Sequence, residues 1–141
     1  KARGYDEAIL LNVDGNVAEG SGQNLFYVKD NIIHTNDESS SILLGITRES
    51  ILTICQNLNI KTKIHSFSLE ELSSADEVFF TGTASEVTPI RSIEDNLISN
   101  GEVGPITLRL KDYYMNIVLG NNNQYSDWLS ILNQDVSVSN P

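Results

Sequence analysis

The chain has 141 residues, with 19 Asp and Glu against 9 Lys and Arg, and a formal net charge of −10. This is one domain's worth of chain, 40% of it apolar, with no run approaching the roughly 20 apolar residues that a membrane helix needs. The acidity argues against nucleic-acid binding, which relies on basic patches, so any phosphate has to be held chiefly by backbone amides. In chain order, Glu7–Asn12 is a short apolar run, and Asp14-Gly15 is a turn signal before a second extended stretch. Together they predict a hairpin. Leu25–Val28 and Ile32–Thr35 flank the polar turn Lys29-Asp30-Asn31 and predict another.

After the serines at 39–41 the apolar period changes. Ile51, Ile54, Cys55 and Leu58 fall at i, i+3, i+4 and i+7, one stripe of an amphipathic helix whose entrance Gly45 marks. Ile60–Phe67 reads as a strand, and Ser68-Leu69-Glu70-Glu71 as a capping box opening a short helix to about Ala75. Glu77–Phe80 is a buried-strand candidate that runs into the small residues Thr81–Ser85. Glu86–Ile93 reads as the next strand, with a turn at Asp95-Asn96. Gly104-Pro105 opens a last long helix with Ile106, Leu110, Tyr113 and Ile117 on one face. Trp128, Leu129, Ile131 and Leu132 form a short amphipathic patch before a polar tail at 133–141. No repeat or linker divides residues 1–132.

Much catalytic chemistry fails on arithmetic. Cys55, the single cysteine, lies in an apolar run and reads as core. With no internal disulfide possible and no secretory segment visible, a cytoplasmic location is the expectation, and a first residue that is Lys rather than Met suggests a cut chain. His34 and His65 sit on predicted strands without metal-ligand spacing around them, and read as structural or surface residues. Gly20-Ser21-Gly22 lacks the spacing of a serine nucleophile elbow, and the chain after it is strand-like where a dinucleotide motif requires a helix.

Three stretches of small residues carry the chemistry. In Val17–Phe26, Glu19 stands between an apolar run and two glycines, where another molecule can approach a carboxylate; a solvated turn is the plain alternative. In Leu43–Arg48 a glycine turn enters a helix and leaves N–H groups at Ile46 and Thr47 free for an anion, unless Thr47 is merely a cap. Thr81–Ser85 is a strand-end turn with amides and hydroxyls to offer, or a plain β-turn.

Taken in order, E-G-x-G-x-N-x-F from Glu19, L-x-G-I-T-R from Leu43, and A-D-E-V-F-F-T-G-T-A-S-E-V-T-P-I-R from Ala75 closely resemble the fold type IV pyridoxal-phosphate enzymes, specifically the branched-chain amino acid aminotransferases. Gly101–Thr107 and the Trp128-Leu129 pair extend the resemblance over Gly4 to Leu132. It implies an α/β fold: the larger, C-terminal cofactor-binding domain, with strands around a cofactor groove and helices outside.

The resemblance also assigns roles. Glu19 matches the carboxylate that keeps the cofactor's ring nitrogen protonated, Leu43 a residue against the ring, and Ile46, Thr47 and Thr83 the phosphate donors. Thr83 and Ala84 match the backbone that holds the substrate's α-carboxylate. The family's catalytic lysine, an adjacent tyrosine, a phosphate-gripping arginine and a small N-terminal domain all fall upstream, so no catalytic residue is expected in these 141 residues and the fragment alone is expected to be inactive. For the intact protein it implies transamination of leucine, isoleucine or valine with 2-oxoglutarate, in branched-chain amino acid biosynthesis or degradation. The expected partners are those amino acids and 2-oxo acids, with a homodimer or higher homo-oligomer, and neither nucleic acid nor membrane. Leu44, Gln23 and Ser85 depart from the common proline, glutamate and alanine without removing a proposed contact. The D-amino-acid aminotransferases and aminodeoxychorismate lyases share the fold and the E-G-x-x-x-N pattern, and a non-catalytic binding or assembly module is a further alternative.

Overall fold

The computed structural model describes residues 4–130. A five-stranded sheet in the order β5-β4-β3-β6-β7 organises it, antiparallel except where β5 joins β4. Its strands are β3 (Asn24–Lys29), β4 (Ile32–Thr35), β5 (Thr62–Ile64), β6 (Glu77–Gly82) and β7 (Glu86–Pro89). Two small hairpins stand beside it: β1 (Ile9–Leu11) with β2 (Val17–Gly20), and β8 (Ser92–Ile93) with β9 (Asn96–Leu97). The β3–β4 turn places both Asp30 and Asn31 at positive φ, 50° and 61°, a conformation that short polar residues tolerate and that matches the twist of a tight hairpin.

The predicted helices form as α1 (Ile46–Asn57), α2 (Leu69–Ser73) and α3 (Pro105–Val118). At α2 the capping box is complete: Glu71 N–H donates to Ser68 Oγ and Ser68 N–H to the Glu71 carboxylate. Alternating side chains of the central strands feed two cores. Phe26, Val28, Phe79 and Val87 pack against Ile51, Ile54 and Cys55 of α1 and Leu110 and Ile117 of α3, while Leu25, Tyr27, Val78 and Phe80 pack with Val17, Phe67, Leu72, Ile93 and Ile98. Cys55 lies in the first of these, fully buried, and burial pushes its thiol up to about 12.

Several boundaries differ from expectation. The first strand is only Ile9–Leu11, and β5 covers Thr62–Ile64 of the expected Ile60–Phe67 because its partner β4 offers only four residues. Thr81 and Gly82 belong to β6, so the turn proper is Thr83–Ser85. The strand expected over Glu86–Ile93 breaks after Pro89. Ile90 N–H still bonds to the Val78 carbonyl, but β6 starts at Glu77, and the chain beyond pairs with itself as β8–β9. Asn123–Trp128 is a 3₁₀ segment whose Tyr125 is buried, and Ile131 and Leu132 lie outside the described residues. His34 lies on β4 as expected but His65 follows β5, and the two rings meet at 2.8 Å, Nδ1 to Nε2. No helix among the described residues is long and apolar enough to cross a membrane.

Candidate functional site

The three small-residue stretches converge at one end of the sheet. β2 carries Glu19 and turns through Ser21–Gln23 into β3, whose first residue, Asn24, pairs with Thr81 near the end of β6. Gly20 and Gly82 line this junction. A Cβ on Gly20 would stand 2.9 Å from the Phe80 ring, and one on Gly82 would stand 2.8 Å from Ser85 Oγ and 3.4 Å from the Gly22 carbonyl. The bare glycines therefore leave room for the Phe80 ring against Gly20 and for the Ser85 hydroxyl against Gly82.

The second stretch is tied to the first by side chains. Glu19 Oε2 accepts from the Leu43 N–H at 3.2 Å and from Asn24 Nδ2 at 3.1 Å. Asn24 Nδ2 also donates to the Leu43 carbonyl at 2.7 Å, and Asn24 Oδ1 accepts the Gly45 N–H at 3.1 Å. Gly45 has no room for a Cβ, which would collide with Asn24 Oδ1. Sequence reasoning passes over Asn24. It is a fixed position of the first motif, but its partners Leu43 and Gly45 belong to the second stretch, so the motif alone gives it no role.

Gly45 is the N-cap of α1, with extended backbone and no capping side chain, so the helix's first N–H groups remain available to an anion. Thr47 is therefore a first-turn residue and not the cap. It is 4% exposed, whereas Leu43 and Ile46 are 79% and 84% exposed, two aliphatic side chains held out at the mouth of an uncapped helix. Thr83 and Ala84 are exposed in the β6–β7 turn, which a chain of contacts from Gly45 through Asn24 to Thr81 links to this mouth. The buried Thr81 and Ser85 hydroxyls and Gln23 Oε1 have no hydrogen-bond partner among the described residues, leaving unused polar capacity around the two turns. A groove of about 1340 Å³ opens from Gln23, Ser85 and Thr88 toward Arg91. The site thus sets a hydrogen-bonded carboxylate beside free helix amides that can take an anion, with two exposed aliphatic side chains at its mouth.

The family model for class IV amino-transferases matches residues 1–93. The chain belongs to the class IV aminotransferase family. A probable branched-chain-amino-acid aminotransferase of Aquifex aeolicus is 47% identical over 128 residues, covering 90% of this chain and 41% of that protein. The branched-chain-amino-acid aminotransferase of Escherichia coli K12 is 40% identical over 134 residues, 95% of this chain and 43% of that one. Among solved structures, a T.th. branched-chain amino acid aminotransferase complexed with N-(5'-phosphopyridoxyl)-L-glutamate superposes with a TM-score of 0.91 at 44% identity, covering 94% of this chain and 44% of that one. The fold type IV α/β architecture is thereby established for the class IV chain, which spans less than half the length of these relatives.

Of the residues singled out in the sequence, the structure brings Glu19 and Leu43 into direct hydrogen-bond contact and puts Ile46 and Thr47 in the adjoining helical turn. Thr83 and Ala84 join them only through the strand pairing of Asn24 with Thr81.

Proposed function

We propose that the full-length protein is a pyridoxal-phosphate-dependent aminotransferase exchanging the amino group between leucine, isoleucine or valine and 2-oxoglutarate. The observation that carries this reading is the Glu19 carboxylate, anchored at 3.1 and 3.2 Å beside the uncapped start of α1. Residues 1–132 act as the cofactor-binding domain, followed by a tail at 133–141. Glu19 faces the ring nitrogen, the exposed Leu43 packs on the ring, and Ile46, Thr47 and Thr83 offer donors to the phosphate. Thr83 and Ala84 hold the substrate carboxylate through their amides. Bound there, the cofactor supplies an electron sink for the substrate's α-carbon. Glu19 keeps the proton on the ring nitrogen, which a neutral neighbour would not do.

The relatives named as branched-chain aminotransferases, and the T.th. enzyme complexed with the phosphopyridoxyl-glutamate conjugate, support the choice of reaction and cofactor. The same reading carries a catalytic lysine outside these residues, a cytoplasmic location, and a homodimer or higher homo-oligomer. The test is an assay of the full-length protein with pyridoxal phosphate, each of the three amino acids and 2-oxoglutarate, following glutamate formation. Turnover is expected with all three. Turnover confined to D-amino acids, or none with 2-oxoglutarate, would overturn the substrate assignment.

A further inference from the structure

Asn24 commits its whole carboxamide to one network. The residue is 5% exposed, and both ends of the amide are engaged: the NH₂ group with the Glu19 carboxylate and the Leu43 carbonyl, the oxygen with the Gly45 N–H. The opposite amide orientation would set oxygen against two acceptors and NH₂ against a donor, so the network admits one orientation only. Through these contacts one side chain links a carboxylate on β2 to the residue that caps α1, 21 positions further along.

We propose that Asn24 is a positioning residue that fixes the spacing between the Glu19 carboxylate and the first-turn amides of α1, so that the ring-nitrogen end and the phosphate end of one cofactor are set in a single register. The inference rests on the reading of Glu19 and α1 given above. Asn24 itself does not touch the cofactor. Its substitution should therefore disturb both ends of the ligand together, which loss of an isolated contact would not do.

The experiment uses the full-length protein with Asn24→Ala, Asn24→Asp, Glu19→Gln and the double variant Asn24→Ala/Glu19→Gln. Three quantities are read: the pyridoxal phosphate Kd by fluorescence titration, the pH at which the bound cofactor's absorbance titrates, and the thermal melt of the cofactor-free protein. Asn24→Ala should raise Kd about 10- to 100-fold, the range expected when positioned hydrogen bonds at a charged site are lost, and should shift the absorbance titration. Glu19→Gln should shift that titration much less in the Asn24→Ala background than in wild type, because the carboxylate is already displaced. Additive shifts, or a wild-type Kd in a folded Asn24 variant, would overturn the proposal. Asn24→Asp at pH 8 keeps the volume and the acceptor for Gly45 while removing both donors. It should weaken binding at least as far, and it carries the test if the alanine variant shows no cooperative melt. If Glu19→Gln alone leaves the absorbance titration unchanged, the Glu19 assignment fails; if it moves the titration and Asn24 variants do not, only the positioning role fails.

Discussion

On the reading proposed above, Thr47 is a single side chain that has to hold phosphate against an unfavourable long-range field. The chain carries a net charge of −10, so a dianionic phosphate is not drawn in from a distance and has to be held by local geometry. Thr47 lies in the first turn of a helix with no capping side chain, where the free amides gather at one end. In the full-length protein Thr47→Val keeps the shape and removes the hydroxyl. A hydrogen bond to a charged group contributes about 1.5–3 kcal/mol, so cofactor Kd should rise roughly 10- to 150-fold while turnover at saturating cofactor largely recovers. Fluorescence titration and a saturation assay check both halves. An unchanged Kd with reduced saturated turnover would move the phosphate elsewhere and give the turn to the substrate. Glu19 and Thr47 are legible in the sequence because motif wording marks them. Asn24 stands in the same motif as Glu19, but its role is not legible there, since it comes from partners at Leu43 and Gly45 that only the fold brings near.

At the scale of elements, α3 is fastened to the sheet by a buried carboxylate. Glu77, the first residue of β6, accepts the Ile106 and Thr107 N–H groups at 3.1 and 2.7 Å, filling the N-terminal positions that a capping side chain would otherwise satisfy. Gly104, the N-cap, has φ −68° and needs no glycine conformation; what it needs is space, because a Cβ there would overlap the Glu77 carboxylate. Gly104→Ala should therefore destabilise the fold by about 2–3 kcal/mol, the cost of displacing a buried charged acceptor from its donors. In a Glu77→Ala background the same substitution should cost far less. Urea unfolding of the four proteins measures this, and a neutral Gly104→Ala in the wild-type background would refute the steric account. The helix itself is legible from Gly104-Pro105 and its apolar stripe, because such signals are local. Its cap is not, being 29 residues upstream of Ile106 on another element. The same distinction explains the strands: β-rich runs and the polar turn at Lys29-Asp30-Asn31 locate β3, β4 and β6, whereas the end of β5 is set by its partner β4, which stops at Thr35.

For the molecule as a whole, the sheet is covered on both faces by side chains of this chain, and the two clusters are completed by α1, α3, α2 and the hairpins. Such burial is what lets a domain hold together, and Cys55 reports on it directly. Its thiol is fully buried beside Ile51 and Ile54 and pushed up to about 12 from 9.0, so almost no thiolate exists near neutral pH and no reagent reaches it. In the 141-residue chain by itself, Cys55 should resist alkylation at pH 8 in buffer and react readily in concentrated urea. The folded chain should nevertheless transfer no amino group. Lys29, which shares β3 with Asn24, sits at its far end, about 17 Å away along a six-residue strand, and its ammonium is engaged by the Ser74 carbonyl at 2.6 Å and Asp76 at 3.2 Å. Lys63 lies on β5, two strands away across β4 from β3. Among the described residues the groups hydrogen-bonded to Glu19 are Asn24 and Leu43, and no lysine is among them. Incubating the purified chain with pyridoxal phosphate, leucine and 2-oxoglutarate should give no glutamate above a cofactor-only blank, and turnover above that blank would show that a base within these residues suffices. Running the alkylation on the same preparation makes the result interpretable: inactivity with Cys55 protected traces to missing chemistry, whereas rapid labelling in buffer would mean that the two clusters do not form without further chain.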